Sequence, residues 1–389
     1  MENKHNNLKV QLDFNITKKT HSLYHSFFNN PPDGVEYTKS EFVGVNEKSY
    51  STLGKMYKKI IKIFPFVSKF HQNLNDILRK DSGADLIYFS MHSGKSNKPF
   101  VIDYEHAYNF IELNDRYNSK NKKYSIKRLN NKNLKKLLPI NEESLKSFRL
   151  FFGDKVRKSQ EVIYPTLFIP KEFRKVAKKE KIIISIGSSN ITNDLAFYIK
   201  GGYETLKAFE NLSKRYKNYK FVIISRFPKD INFNSKQKNL IIHDVLPQKE
   251  LWEIMNKSLI FVQPNYHAPT MAYLEAMFFR LPIITYNCWA NNEYVNEKNG
   301  ILINPKELNH INEHNVPIYT EETINKIKES AEENSKKIEK EIINLINNPK
   351  LIKNMGENGF KEVTEGKFSL KNRNEKLLKI YKEILNDGL

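Results

Sequence analysis

YHAPTMAYLEAMFFRLPIIT, residues 266–285, joins a helix to a strand. Its residues 271–279 are helix formers, set between two strand-like pieces at 259–263 and 282–285. The lead-in of His267, Ala268, Pro269 and Thr270 has the makings of a helix start, because Pro269 fixes φ and Thr270 carries a hydroxyl of the kind that caps free N–H groups. Such a helix mouth presents unpaired backbone donors and the positive end of a dipole, which together suit a phosphate. Glu275 follows just over one turn in. It is a carboxylate beside an anion site, able to accept from neutral hydroxyls. A phosphate flanked by a hydroxyl-binding acid is what a nucleotide asks for, although a half-buried helix with no ligand shows the same pattern.

Outward from this stretch the second half of the chain is regular. Apolar strands at 182–186, 221–225, 240–243, 259–263, 282–285 and 301–303 alternate with helical segments. Short continuous apolar strands separated by helices predict a parallel sheet covered on both faces. Gly187, Ser188 and Ser189 end the first of these strands, and Lys200-Gly201-Gly202 opens the next helix. A glycine turn with a lysine at a helix mouth can cradle a phosphate, and it can equally be a plain loop. After Pro305 the chain is polar, with a long charged helix over 323–346. Leu377, Ile380, Tyr381 and Ile384 form an apolar stripe on a final helix, which must dock on another part of the protein.

The first half is less regular. Leu8, Val10, Leu12 and Phe14 alternate as in a strand with one covered face. Residues 53–63 read as a basic helix ahead of the apolar cluster Phe64-Pro65-Phe66. Strands follow at 85–90, 99–103 and 137–140, a helix at 142–151, and an edge strand at 162–165 that runs into a linker. Sites in open α/β sheets collect at the carboxyl ends of strands. His92, Asp103, Glu105 and His106 are therefore candidate substrate-facing groups, each of which packing alone would also explain. Asp103 and Glu105 loosely match a carboxylate pair for a divalent metal, a pattern too common to carry weight.

A chain of 389 residues is long for one core, so two domains are expected. Hydrophobic content of 39% with 12% aromatics fits packed domains rather than disorder. The net charge of +20 calls for an anionic partner, unless a general lysine and asparagine bias has simply spread cations over the surface. The cations concentrate between Arg116 and Asn141, where no acid occurs. That block suits phosphates or anionic headgroups. The aromatic and glycine signatures of nucleic-acid binders are missing, so no nucleic-acid partner is expected. The single cysteine, Cys288, excludes an internal disulfide and a thiolate zinc cluster and fits a reducing compartment. The start, MENKHNN, lacks the apolar core of a signal peptide, and no apolar stretch approaches the ~20 residues that span a bilayer. A cytoplasmic protein is expected, peripheral on the inner face of the membrane through residues 120–136 and the Phe64-Pro65-Phe66 cluster.

The pieces IIISIGSSN, YIKGGYETLKAFENL, KNLIIHDVLPQKELWEIMNKSLIFVQPNYHAPTMAYLEAMFFRLPIIT and NEYVNEKNGILI resemble, in order and spacing, the retaining, nucleotide-sugar-dependent glycosyltransferases of group 1 (family 4). The match runs from Lys181 to the end. The first half fits more loosely, through LKVQLDF, DLIYFSMHS, PFVIDYEHA and LLPINEESLKSF. The resemblance implies the GT-B fold: two Rossmann-like parallel-sheet domains facing across a cleft, here residues 1–175 on the acceptor side and 176–369 on the donor side, with the terminal helix of 370–389 returning to the first. It also implies a nucleotide-sugar donor, a glycan or lipid-linked acceptor, retention at the anomeric carbon, and no metal or other cofactor.

The family's Glu-x7-Glu pair places its second acid at Glu275, where it would bind ribose hydroxyls, and its first at His267, so an imidazole stands where an acid is usual. Lys200 matches the lysine that neutralises the donor diphosphate. The usual arginine after the first-strand glycine is replaced by Ser188 and Ser189, a loss that Arg226 or a side chain of the first domain would have to offset. The amides of Thr270, Met271 and Ala272, following Pro269, would complete the diphosphate site with Gly187. The family's cleft histidine falls near Glu105 or His106. A hexosyl-transferring enzyme is the leading expectation. Because of His267 and the missing arginine, a catalytically weakened sugar-nucleotide-binding or partner protein stands beside it.

Overall fold

The computed structural model describes residues 7–13, 22–42, 76, 79–80, 83–111, 119–187, 195–229, 231, 236–306, 308 and 310–386. Phe14, the expected helix at 53–63, the Phe64-Pro65-Phe66 cluster, Ser188 and Ser189 lie outside the described residues. The chain divides into two compact units. The first comprises Met1–Tyr164, Glu313–Val316 and Arg373–Leu389, the second Pro165–Asn312 and Pro317–Asn372.

The first unit is built on a six-stranded sheet of β1 (Leu8–Leu12), β2 (Val35–Lys39), β3 (Leu86–Ser90), β4 (Phe100–Tyr104), β5 (Leu134–Pro139) and β6 (Ser159–Gln160). All pairings are parallel, in the order β2-β1-β3-β4-β5-β6. Chain direction across the sheet reverses between β1 and β3, the switch point of this unit. β4 is buried along its whole length, and its side chains alternate between two cores. Phe100, Ile102 and Tyr104 meet Phe148 and Phe152 of helix α2 (Glu142–Phe152), which follows α1 (Ser119–Leu129). Val101 faces the other way, into a cluster with Leu377, Ile380, Tyr381 and Ile384. The apolar stripe of the terminal helix therefore covers the second face of the first unit's sheet. Arg373 fixes it there, donating to Ser26 Oγ at 2.7 Å and to the Asn30 carbonyl at 2.8 Å.

The edge strand differs from the expectation of 162–165. The paired residues are Ser159 and Gln160, beginning three positions earlier, in register with Lys136 and Leu137. Glu161 and Ile163 still donate their N–H groups to the Leu137 and Pro139 carbonyls, at 3.1 and 3.0 Å. Pro139 has no N–H to return, so the ladder there is one-sided.

The second unit carries β7 (Ile182–Ile186), β8 (Lys220–Ile224), β9 (Leu240–His243), β10 (Ile260–Val262), β11 (Ile283–Tyr286) and β12 (Gly300–Ile303). These too are all parallel, in the order β9-β8-β7-β10-β11-β12, and the switch point falls between β7 and β10. Helix α3 (Gly202–Arg215) buries Leu206, Phe209 and Leu212 against Ile183, Phe221 and Ile223. After α4 (Gln248–Lys257) and β10 comes α5 (Thr270–Phe278), buried on almost every side. Two further helices, α6 (Glu321–Asn347) and α7 (Pro349–Thr364), precede the terminal helix α8 (Leu370–Asn386). Ile324, Ile327, Ile338, Ile342 and Leu345 of α6 join the same core as α3. Gly356 lets α7 lie against the end of α5, since a Cβ there would come within 2.4 Å of the Arg280 carbonyl oxygen. Among the described residues no helix is long and apolar enough to cross a membrane.

Candidate nucleotide and phosphate site

Of the residues singled out for donor binding in the second unit, Gly187, Lys200 and the stretch from Pro269 to Glu275 follow β7 and β10, on either side of its switch point. Gln263, just past β10, donates from Nε2 to the Ile186 carbonyl at the end of β7, at 2.6 Å. Gly187 follows β7 and donates its N–H to the Ile224 carbonyl at 2.7 Å. Lys200 ends the short helix Leu195–Ile199. Gly201 then turns with φ +66°, a left-handed conformation that glycine adopts without strain. A Cβ on Gly201 would fall 2.2 Å from the Pro264 carbonyl oxygen. Tyr266 donates its N–H to the Ile199 carbonyl at 3.1 Å. These contacts seat the Lys200 turn against the turn that leads into α5.

The Lys200 ammonium is half-buried and makes no hydrogen bond or ion pair with any described residue. Burial pushes it down to about 8 from the ordinary lysine range. The mouth of α5 differs from the sequence expectation in one respect. Its cap is Pro269, not Thr270, and no side chain caps it. The helix begins one residue early because Pro269 supplies the turn, its carbonyl accepting from the Ala272 N–H at 2.8 Å. Ala272 therefore spends its amide inside the helix. The amides of Thr270 and Met271 are the ones that donate to no described residue.

Glu275 lies one turn further along α5 and is buried. Its Oε1 accepts from Gln248 Nε2 at 2.9 Å and from Trp252 Nε1 at 3.1 Å, both on α4. Burial raises its carboxyl to about 7, against the opposing hydrogen bonds of Trp252 and Gln248. Neither α4 residue stood out in the sequence, although the two are spaced i, i+4 on one helix face. Glu204, on the first turn of α3, was also missed. It is fully buried and accepts from the Tyr266 hydroxyl.

His267 places Nδ1 2.7 Å from the Tyr319 hydroxyl. Tyr319 in turn stacks on His310, whose Nε2 bonds the Tyr266 carbonyl at 3.0 Å. Arg226, past β8, lies on the surface with Nε 3.6 Å from Asp244 Oδ1, both side chains more than half exposed. A pair of that kind is weak and exchangeable.

In the first unit, Glu105 and His106 follow β4. Both backbone N–H groups donate to Asn109 Oδ1, at 2.8 and 2.9 Å, so His106 caps the tight turn Ala107–Phe110. Asp103 is not substrate-facing. It is buried, accepts from the Met91 N–H at 3.0 Å and the Tyr88 hydroxyl at 3.1 Å, and burial lifts its carboxyl to about 7. At this unit's switch point His92 points Nδ1 at the Ser90 carbonyl (2.7 Å) and Nε2 at Asp13 Oδ2 (3.1 Å). Both partners are acceptors, an arrangement that favours the doubly protonated ring, and the Asp13 hydrogen bond and charge raise the imidazole above its ordinary value against the effect of burial. Arg79 holds the same carboxylate at 2.8 Å.

Two parallel-sheet units of this topology have the fold of the GT-B glycosyltransferases. Residues 169–315, which span β7 to β12, match the family model of the glycosyl transferases group 1. The structure is similar to sucrose-phosphate synthase from Thermosynechococcus elongatus, with a TM-score of 0.55 at 11% identity over 98% of this chain and 100% of that one. It is also similar to Anabaena HepE in complex with UDP-glucose (TM-score 0.55, 12% identity, 97% and 100% covered). A glycosyltransferase from Rickettsia africae gives 0.51 at 16% identity, with 98% and 99% covered. No curated protein matches the chain.

Proposed function

We propose that this protein transfers a hexosyl group from a nucleotide-sugar to a hydroxyl acceptor, glycan or lipid-linked, with retention at the anomeric carbon and without a metal. The observation that carries the reading is Lys200, a half-buried cation with no acid bonded to it among the described residues, seated against the turn that leads to the Thr270 and Met271 amides, which donate to no described residue. An unpaired buried charge is unfavourable unless a ligand of opposite sign completes the site. The group 1 family match over these strands and the UDP-glucose bound to the structurally similar HepE support a nucleotide-sugar as that ligand.

The chemistry follows from charge. Departure of the leaving group builds negative charge on the nucleotide diphosphate, which Lys200, the two amides and the end of the α5 dipole stabilise. Glu275 accepts from the ribose hydroxyls. Gly187 borders the phosphates, and Arg226, which follows the neighbouring strand β8, supplies a further cation. Glu105 and His106 serve the acceptor end, where positioning matters more than base strength. The test is release of nucleoside diphosphate from UDP-, GDP- and ADP-sugars. Slow hydrolysis of one of them that vanishes in Lys200→Ala is expected; turnover undiminished in Lys200→Ala would remove the proposal.

A second reading is a sugar-nucleotide-binding partner with weakened catalysis. It draws on the His267 imidazole, which is bonded to Tyr319 in the place of the family's acid. Tight binding of a nucleotide-sugar with no turnover, alone or with added acceptors, would favour it.

A peripheral position on the inner face of an anionic membrane is part of the proposal. Lys122 and Lys155 crowd each other, as do Lys158 and Lys135, and in each case burial first and then the neighbouring cation depresses Lys122 and Lys158. Like charges gathered this way suit anionic headgroups. Sedimentation with phosphatidylserine vesicles but not with phosphatidylcholine vesicles is the expected result, and equal behaviour with both would remove this part.

A further inference from the structure

Glu275 does not meet a ligand as a symmetric carboxylate. Its Oε1 already accepts two hydrogen bonds, from Gln248 Nε2 at 2.9 Å and Trp252 Nε1 at 3.1 Å, while Oε2 accepts from no described residue. Gln248 and Trp252 stand four residues apart, so one face of α4 delivers both donors. Trp252 is itself held, its indole meeting the Phe173 ring edge-on at 5.3 Å between centroids.

We propose that Gln248 and Trp252 are positioning residues for nucleotide recognition, which saturate Glu275 Oε1 and so present Oε2 as the atom that accepts the ligand's hydroxyls. This rests on the reading of Glu275 as the ribose-binding acid. The physical reason for two donors is the burial of the acid. A carboxylate inside a protein takes up a proton unless hydrogen bonds stabilise its charge, and a protonated acid is a poorer acceptor for hydroxyls. The two α4 donors oppose that protonation at one oxygen and fix the rotamer that aims the other. The neutral donors do this without adding a positive charge beside the site. Trp252 supplies a donor that cannot also accept, so its bond to Oε1 has one sense only.

The chain has two tryptophans, Trp252 and Trp289, so an indole 15N spectrum holds two signals and needs little assignment. The Trp252 indole N–H signal is expected to move with pH in the wild type as Glu275 titrates near neutrality, and to stay fixed in Glu275→Gln. The binding arm titrates UDP, GDP and ADP into the wild type and carries the tightest of them into the variants. Trp252→Phe, which keeps the ring and removes the N–H, and Gln248→Leu are each expected to weaken binding about 10-fold, the scale of a hydrogen bond to a charged group. The pH below which binding falls should shift upward in both. In the Glu275→Gln background neither substitution should have a further effect. Equal losses in both backgrounds, or an unshifted pH profile, would reduce the two residues to packing and overturn the inference while leaving nucleotide binding intact. A wild type that binds none of the three diphosphates would sink the nucleotide reading and this inference with it.

Discussion

The Tyr266 hydroxyl donates to Glu204 Oε1 at 2.8 Å, tying the residue just before His267 to the first turn of α3. Tyr286 lies within 3.5 Å of the same oxygen, while Oε2 of Glu204 is buried with no partner among the described residues. Tyr266 is thus fixed at three points: its hydroxyl on Glu204, its N–H on Ile199 and its carbonyl on His310. The turn that leads into α5 has its position set by groups on three other segments.

Glu204 makes stability depend on pH in a predictable direction. Burial raises its carboxyl to about 7, from an ordinary 4.5. The folded chain therefore binds more protons here than the unfolded chain between those values, and wild-type stability falls as pH rises through that window. Glu204→Gln keeps an acceptor for Tyr266 and removes the titration. Relative to wild type, its unfolding free energy should improve by on the order of 2 to 3 kcal/mol between pH 5 and pH 8. Urea unfolding at both pH values gives the number, and parallel pH dependences for the two proteins would contradict the assignment.

Lys200 should trade stability for binding. Its folded value of about 8 lies below the ordinary 10.5, so the penalty of holding the charge is present in full below pH 8 and fades as pH rises towards 10.5. Lys200→Met is expected to stabilise the empty protein at pH 7 by about 1 to 2 kcal/mol, the partial exposure of the side chain reducing the effect. Inorganic pyrophosphate should raise the melting temperature of the wild type and not of the variant. A variant that is less stable and still responds to pyrophosphate would show that the cation serves packing instead.

The parallel sheet of the second half and the helices between its strands were legible because short continuous apolar runs such as IIISI and LIFV, separated by helical segments, fit strands buried on both faces, and the likeness to GT-B enzymes was legible through motif order and spacing; the order of the strands was not. Lys200 and Glu275 were singled out through the resemblance of their motifs, and the structure leaves Lys200 with no described partner and Glu275 with two donors on one oxygen. What could not be read was how side chains from distant segments share an atom. Gln248 and Trp252 meet Glu275 only because α4 and α5 pack together, and no local pattern encodes that. Thr270 looked like a cap because hydroxyls usually fill that role, yet Pro269 turned the chain one residue sooner. Asp103 stood as a candidate substrate-facing group at a strand end, but it is buried, its carboxylate accepting from the Tyr88 hydroxyl and the Met91 amide. A carboxylate's direction depends on its neighbours across the sheet, which lie far away in sequence.

Gly201→Ala tests whether the Lys200 turn must sit where it does. The added Cβ would force a left-handed φ on alanine and fall 2.2 Å from the Pro264 carbonyl. Both effects are unfavourable, and together they should destabilise the protein by about 2 to 4 kcal/mol. Because the clash separates the Lys200 turn from the Pro264 turn, affinity for a nucleoside diphosphate should fall too, even at temperatures where the variant is fully folded. Calorimetric titration of the folded variant checks this, and wild-type affinity would mean that the two turns need not touch.

His92 and Asp13 supply an independent test in the first unit. Burial opposes a charge on His92, but the hydrogen bond and the negative charge of Asp13 outweigh it and raise the imidazole above 6.5. Asp13 moves the opposite way: burial would raise it, and His92 and Arg79 hold it below the usual carboxylate value. A histidine raised in this way contributes stability that is complete below pH 6.5 and disappears as pH rises through its folded value. His92→Gln can keep one of the two hydrogen bonds but not the charge. The variant should therefore lose stability against wild type at pH 6 and lose much less at pH 9, with Arg79 holding Asp13 in both. Thermal unfolding at the two pH values measures the difference. A deficit of the same size at both would mean that His92 stands between Ser90 and Asp13 as a neutral ring, and that the second hydrogen bond is absent.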